Sequence, residues 1–264
     1  MEQPLQGGNA GGAVLVEGTV RRPTGTWTAA VHALLRYLEQ CGFEGAPRVL
    51  GIDEHGREVL TFLPGSTVGA AQPWPAWVHS EAALVQVGTW LRRYHEVVSD
   101  FVPPVGAKWR IGSHPWSPGD VIGHNDAAPY NAVWRQITAD TEELVGFIDW
   151  DFAAPCPPVW DLAFVVFSWV PLHARKVVEA EGFSDFAARP RRLRKLLDAY
   201  GYTGSVAHVL DAVIARITAH MQDVRDLAEA GSPLFARLVT SGVIGALDQA
   251  MLELAKDRPE LEAA

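Results

Sequence analysis

The sequence places Asp126 and Asn131 five positions apart in one short segment, residues 121–134, which reads V-I-G-H-N-D-A-A-P-Y-N-A-V-W. The apolar residues at both ends of this segment predict two short strands with a loop between them. A second segment, residues 145–151, reads V-G-F-I-D-W-D and carries Asp149 at the end of a β-type run. Two carboxylates and one carboxamide are therefore expected in loops next to strands.

A carboxylate and a carboxamide oxygen suit a magnesium ion, which prefers oxygen ligands and keeps several positions for water and nucleotide phosphates. Asn131 and Asp149 are the candidate ligands. Phosphoryl transfer also needs a carboxylate that orients the attacking hydroxyl and accepts its proton, which typically accelerates a reaction by about 10²–10⁴-fold. Asp126 has the position for that role, so the pattern predicts phosphoryl transfer.

Simpler explanations exist for each residue alone. Asp and Asn are frequent in turns, and Asp161, which precedes an apolar stretch, is a good helix N-cap. The joint pattern makes the simpler explanation the weaker one for Asp126, Asn131 and Asp149, whereas Asp161 is expected to have a structural role. Other enzyme classes lack their motifs, because the sequence holds no G-x-S-x-G, no dinucleotide-binding glycine fingerprint and no zinc-protease helix.

Periodicity and turn signals predict the elements that must position these residues. The first part of the chain is rich in short strands, and the part after Asp161 is mainly helical. Gly42 has the place of a helix C-cap. The predicted strands are 14–16, 19–22, 47–52 and 58–63, and the first two helices are 28–40 and 80–98.

The motif H-N-D-A-A-P-Y-N, followed by I-D-W-D-F-A-A-P and V-W-D-L-A, resembles the aminoglycoside phosphotransferase and choline-kinase-like superfamily. The resemblance is specific over residues 120–165. It implies an α+β, two-lobed protein-kinase-like fold with a small β-rich N-terminal lobe and a larger, mainly helical C-terminal lobe. The expected boundaries are 1–65 for the nucleotide-binding lobe, 66–79 for the connector and 80–264 for the catalytic and substrate lobe.

The resemblance also implies roles for individual residues. Asp126 matches the catalytic aspartate, and Asn131 and Asp149 match the metal ligands. His124 and Asp161 match residues that support the loop, Asp161 through backbone amides. A sixth residue, Asp151, is a candidate for a second metal or for the substrate.

On the nucleotide side, the resemblance implies a glycine-rich loop containing Gly8 and Asn9 that covers the phosphates. Arg21 takes the place of the strand lysine of the family, with Arg22 one residue away, and His32 lies near the place of the helix glutamate that pairs with that lysine. The strand end at Thr61, Phe62 and Leu63 is where the adenine edge would meet the backbone.

The composition excludes several function classes. The chain has 264 residues and a net charge of −9, which argues against DNA or RNA as the main partner. No apolar run approaches the roughly 20 residues that span a membrane, and the first residues do not predict a secretory signal. The two cysteines, Cys41 and Cys156, fit a reduced, cytoplasmic interior. The basic cluster at 189–195 is interpreted as the solvated face of a helix.

Together these observations predict an enzyme that uses Mg²⁺ and ATP or GTP to transfer the γ-phosphate to a hydroxyl of a small molecule, such as an aminoglycoside or another cationic natural product. A kinase-fold binding or immunity-type protein with little transferase activity is the alternative, because the lysine–glutamate pair is missing. A Ser or Thr of a peptide is a further acceptor to consider, and the sequence leaves the oligomeric state open.

Overall fold

The computed structural model describes residues 2–5, 12–69, 72–112, 114–138 and 141–263. The chain divides into two compact units, Met1–Ala70 with Thr89–Asp161, and Ala71–Gly88 with Leu162–Ala264. All of the described strands lie in the first unit, and helices predominate in the second. The α+β class predicted from the sequence is therefore confirmed, whereas the boundaries 1–65, 66–79 and 80–264 stay a prediction.

The first unit contains a five-stranded antiparallel sheet. Its strands are Gln3–Pro4 (β1), Val14–Val16 (β2), Thr19–Arg22 (β3), Val49–Ile52 (β4) and Glu58–Thr61 (β5). Their order is β1-β2-β3-β5-β4. Glu17 and Gly18 both have positive φ, which matches the twist of a tight hairpin turn. The register between β3 and β5 places Arg22 directly opposite Glu58.

Helix α1 (Thr28–Gln40) has the bounds predicted from its apolar stripe. Val31, Leu34, Leu35 and Leu38 are almost completely buried, since residues three and four apart share one face of a helix. The helix ends before Gly42, whose φ of +70° is a left-handed conformation that glycine adopts without strain.

Two small antiparallel sheets carry the candidate residues. Val121–Gly123 (β6) pairs with Ala154–Cys156 (β9), and Ala132–Thr138 (β7) pairs with Thr141–Phe147 (β8). The sequence did not predict β9, because Ala-Pro-Cys has no apolar alternation. Glycine fits position 123 without displacing a neighbour. A Cβ atom there would lie 2.7 Å from Sγ of Cys156 and 2.9 Å from Cγ of Asp161.

The remaining helices are Glu81–Val98 (α2), Pro158–Trp169 (α3), Arg175–Ala180 (α4), Arg189–Tyr200 (α5), Val206–Glu229 (α6), Pro233–Thr240 (α7) and Val243–Glu262 (α8). The expectation that Asp161 is the N-cap of its helix is wrong. Helix α3 begins at Pro158, so Asp161 lies in the first turn and its carboxylate is directed elsewhere. Within the described residues, none of the helices combines the length and the apolar character that crossing a membrane requires.

The interpretation of the basic cluster as a solvated face is wrong for two of its members. Arg189 and Arg192 are each 3% exposed. Arg189 donates to the carbonyl oxygens of Pro171 and His173, and Arg192 donates to that of Trp169, at the end of α3. The carbonyl oxygen of Trp169 lies at the end of α3, and those of Pro171 and His173 lie in the turn before α4. The two guanidiniums supply hydrogen-bond donors to these carbonyls, which helps to explain why the charges are buried.

Candidate active site

The loop after β6 holds Asp126 in a fixed position. Asn131 donates through Nδ2 to Oδ2 of Asp126 at 2.8 Å and to its carbonyl oxygen at 2.9 Å. The hydroxyl of Tyr130 donates to Oδ1 of Asp126 at 2.8 Å. Asn131 is 4% exposed, whereas Asp126 is half-buried and Tyr130 is 46% exposed. The loop therefore presents one oriented carboxylate that solvent can reach.

A buried carboxylate holds the backbone of the same loop. Oδ1 of Asp161 accepts from the amide of Asn125 at 2.8 Å, and Oδ2 accepts from the amide of His124 at 3.0 Å. Nε2 of His95, on α2, lies 3.1 Å from the same Oδ2. Asp161 has no exposed surface, so these bonds are made in a region of low dielectric constant, where they are strong.

Asp149 lies at the end of a second segment, which is hydrogen-bonded to this loop. The amide of Ile148 donates to the carbonyl oxygen of Asn131 at 2.9 Å. His124 contacts both segments, with Nε2 3.2 Å from the carbonyl oxygen of Ile148 and Nδ1 3.3 Å from the amide of Asp126. Burial lowers the pKa of His124, so the ring is neutral and donates through one nitrogen while it accepts through the other. The structure thus joins the loop that carries Asp126 and Asn131 to the segment that carries Asp149, through Ile148 and His124.

The donor set at this position fits a magnesium ion. Because Nδ2 of Asn131 is used by Asp126, its remaining amide atom is an oxygen. Asp149 adds a carboxylate whose side chain is 29% exposed. Two such oxygen ligands, with phosphate oxygens and water, match the way Mg²⁺ is bound in phosphate-transferring sites. No group of three His, Cys, Asp or Glu side chains in the described part of the chain could hold a metal ion.

Arg22 is the strand arginine that reaches the site. Its Nη1 donates to Oδ1 of Asp149 at 2.9 Å, its Nη2 pairs with Asp151, and its Nε pairs with Glu58. Burial lowers the pKa of Arg22, but Asp151, Glu58 and Asp149 outweigh that effect and hold the pKa above its ordinary value. The residue expected from the sequence at this place is Arg21. Arg21 instead lies 3.9 Å from Asp53, so its proposed contact with phosphates is not supported by its position.

Asp151 belongs to an arginine cluster rather than to an open ligand set. Nη1 of Arg110 donates to its Oδ2 at 2.7 Å, in addition to the contact from Arg22. The guanidinium of Arg110 also lies over the rings of Trp27 and Phe152, at 4.5 and 5.2 Å. Burial raises the pKa of Asp151, although both arginines favour its ionised form. Its role toward a second metal or a substrate stays a prediction.

The structure describes some, but not all, of the residues that are predicted to hold the nucleotide. Gly8 and Asn9 lie outside the described residues. Thr61 ends β5 and pairs with Arg48, whose amide donates to its Oγ1 at 2.8 Å. Phe62 is 38% exposed, and Leu63 is partly exposed. The chain then passes through Gly65 to Ser66, which pairs with Trp134 of β7.

Sequence reasoning missed Glu58, Arg110 and Tyr130. Glu58 and Arg110 contact the site only through pairings between distant segments, and a sequence does not show such pairings. Tyr130 is different, because it lies four residues after Asp126 in the motif itself. Its position one residue before Asn131 was a usable signal.

Comparison with known proteins shows the family. A model of the phosphotransferase enzyme family matches residues 106–196. The trifolitoxin immunity protein of Rhizobium leguminosarum bv. trifolii is 38% identical over 188 residues, which is 70% of this chain and 68% of that protein.

Solved structures show the fold. A choline/ethanolamine kinase family protein from Mesorhizobium loti has a TM-score of 0.59 at 16% identity, covering 95% of this chain and 88% of that one. The GDP complex of aminoglycoside 2'-phosphotransferase-IIIa has a TM-score of 0.61 at 14% identity, covering 96% and 93%. The chain therefore belongs to the phosphotransferase enzyme family and has the protein-kinase-like fold of aminoglycoside phosphotransferases and choline-kinase-like proteins.

Proposed function

We propose that this protein transfers the γ-phosphate of ATP or GTP to a hydroxyl of a small molecule. The observation that carries the proposal is the hydrogen-bonded network that joins the loop of Asp126 and Asn131 to the segment carrying Asp149. Asn131 contacts the candidate base through its side chain and the segment of the candidate ligand Asp149 through its carbonyl oxygen. A turn-forming Asp or Asn in a loop does not require such convergence.

In the proposed mechanism, Asp126 orients the acceptor hydroxyl and accepts its proton as the hydroxyl oxygen bonds to the γ-phosphorus. The bond from that phosphorus to the β–γ bridging oxygen breaks, and the nucleoside diphosphate leaves. Tyr130 and Asn131 hold the carboxylate in place, because each donates to one of its oxygens. Asn131 and Asp149 would hold Mg²⁺, which neutralises charge on the phosphates when bound. The two terminal nitrogens of Arg22 form a planar fork that matches phosphate oxygens, which would take the place of the carboxylates of Asp149 and Asp151 on that fork.

Two observations support the proposed class of acceptor molecule, namely the family of the chain and its net charge. The aminoglycoside phosphotransferase relatives are named for aminoglycosides, and a net charge of −9 attracts cationic molecules over long range. A small, cationic molecule with hydroxyl groups is therefore the proposed acceptor. Its individual identity is for an acceptor screen to determine.

The first test is nucleotide binding by thermal shift with Mg²⁺ and ATP, Mg²⁺ and GTP, or Mg²⁺ alone. A ligand at one hundred times its Kd adds about 2.7 kcal/mol of stability, so a clear increase in Tm is expected with at least one nucleotide. The second test is phosphate transfer to a panel of amino-sugars and amino-alcohols by wild type and Asp126→Asn. Turnover that survives this substitution would remove Asp126 from the mechanism.

A second candidate function is immunity to a toxin by binding, with little transfer activity. The similarity to the trifolitoxin immunity protein favours it, as does the contact of Arg22 with Asp149, where a metal would have to compete with a guanidinium. Expression of wild type and Asp126→Asn in toxin-sensitive cells separates the two functions. Protection that is equal for both variants would support binding, and protection lost with Asp126 would support phosphate transfer.

A further inference from the structure

We infer that Glu58 is a positioning residue for the phosphate-binding arginine, with His32 as its support; this inference rests on the proposed function. Glu58 does not contact Asp126, Asn131 or Asp149 in any hydrogen bond of the described residues. It acts through Arg22, whose Nε it holds while Nη1 and Nη2 face the site.

The sheet register makes this contact specific. Arg22 and Glu58 are direct cross-strand partners on β3 and β5, and residues directly opposite each other have close side chains. The register therefore fixes Glu58 at one side of the guanidinium. The carboxylates of Asp149 and Asp151 lie on the other nitrogens, so the plane of the fork is determined by three contacts.

Burial makes Glu58 dependent on its two partners. It is 2% exposed, and its Oε2 lies 2.8 Å from Nε2 of His32, which is 5% exposed on α1. A buried carboxylate without partners is strongly unfavourable. Glu58 is therefore held by α1 from one side and pairs with Arg22 on the other. Three elements, α1, β3 and β5, thus set the direction of one guanidinium.

The charges explain why Glu58 matters for a ligand. The cluster contains three carboxylates (Glu58, Asp149 and Asp151) and two guanidiniums (Arg22 and Arg110). If the charge of Glu58 is removed, the anionic partners that Arg22 keeps among the described residues are Asp149 and Asp151. It is then held more firmly on Asp149, in competition with a metal ion, and its fork is less available to phosphate.

The experiment measures the Kd of the full-length protein for Mg·ATP and Mg·GTP by isothermal titration. Glu58→Gln keeps the shape and removes the charge, and we expect the Kd to rise about tenfold. Asp53→Asn is the matched control, because Asp53 pairs with the neighbouring Arg21 and with Arg57 instead. Its Kd should stay within twofold of wild type.

The decisive variant is the double substitution Glu58→Gln with Arg22→Gln. Because Glu58 acts through Arg22, the double variant should bind like Arg22→Gln alone, within twofold. Losses that multiply would mean that Glu58 acts independently, and the inference would fail. A comparison with the nucleoside monophosphate gives a further check. A purely structural defect would raise the Kd of both ligands by the same factor, whereas loss of phosphate positioning would raise the Kd of the triphosphate more.

The outcomes for the two proposals differ. If wild type binds nucleotide and Glu58→Gln binds it equally well, the positioning role is wrong and the proposed function stands. If wild type binds neither nucleotide, both are wrong. Should Glu58→Gln fail to fold, His32→Gln replaces it, since it disturbs only the far oxygen of Glu58; a Kd unchanged in that variant would contradict the supporting role of His32 and the inference with it.

Discussion

Substitution of Asp161 should reveal how strongly the loop of Asp126 depends on one buried carboxylate. Its Oδ1 accepts from the amide of Asn125, and its Oδ2 accepts from the amide of His124 and lies within hydrogen-bonding distance of His95. Asp161→Asn keeps one acceptor oxygen and replaces the other oxygen with an NH₂ group. That group cannot accept a hydrogen bond from the donors that faced the lost oxygen. Hydrogen bonds to charged groups contribute about 1.5–3 kcal/mol, and a buried donor left unpaired costs about 1–3 kcal/mol.

From these values we expect Asp161→Asn to lower the free energy of unfolding by about 2–3 kcal/mol, and Asp161→Ala by about 4–5 kcal/mol. Globular proteins have about 5–15 kcal/mol in total, so the alanine variant should be close to the limit of folding. Urea unfolding followed by tryptophan fluorescence and by circular dichroism measures the difference, and agreement of the two signals checks that the transition is two-state.

Asp120→Asn is the control for this prediction. Asp120 is also buried, and it accepts from the amide and hydroxyl of Ser117 and contacts His114, but all of these contacts involve Oδ2. An amide oxygen at that position preserves them, so the loss should stay below about 1 kcal/mol. Equal destabilisation by both substitutions, or a change below about 0.5 kcal/mol for Asp161→Asn, would refute the reasoning.

Three further predictions concern different parts of the chain. Gly123→Ala places a methyl group 2.7 Å from Sγ of Cys156, and overpacking of this kind costs about 1–3 kcal/mol, so Tm should fall by about 3–9 °C; an unchanged Tm would show that the neighbours can move. Burial raises the pKa of Glu181 to about 7 from 4.5, so the folded state favours the protonated form and the stability of wild type falls as pH rises through this range. The free energy of unfolding of Glu181→Gln, measured in urea, should therefore increase relative to that of wild type by about 1–3 kcal/mol between pH 5 and pH 8. A difference that stays constant with pH would contradict this. Arg22→Gln should raise the nucleotide Kd at least tenfold and Arg21→Gln much less, and the reverse order in a titration would restore the assignment made from sequence.

The elements that sequence reasoning predicted well are those with local signals. The hairpin at Glu17-Gly18 and helix α1 are specified by alternation, periodicity and a C-terminal glycine within a few residues of each other. Strand β9 lacks such a signal, because Ala154–Cys156 becomes a strand only by pairing with β6, about thirty residues earlier. A local sequence pattern predicts an element that is stabilised by its own neighbouring residues. It does not predict an element that forms only by pairing with a distant segment.

The choice between Arg21 and Arg22 shows the same limit inside the site. Adjacent residues on a strand point to opposite faces, and the sequence does not state which face meets Asp149. In the structure Arg22, which lies opposite Glu58, is the arginine that contacts Asp149. The burial of Arg189 and Arg192 likewise depends on carbonyl oxygens of distant residues, so charge alone predicted the wrong environment for them.

Backbone strain connects the stability of the site with its chemistry. Asn125 and Asp149 both have a φ of +63°, a left-handed conformation that costs a residue with a side chain about 1–3 kcal/mol. Asn125 directly precedes the candidate base, and Asp149 is itself a candidate ligand. Asp161 binds the amide of Asn125, and the amide of Ile148 is bound by Asn131. The strained turns persist because buried hydrogen bonds hold them, so the carboxylates are directed by the surrounding network rather than by the local preference of their own segments.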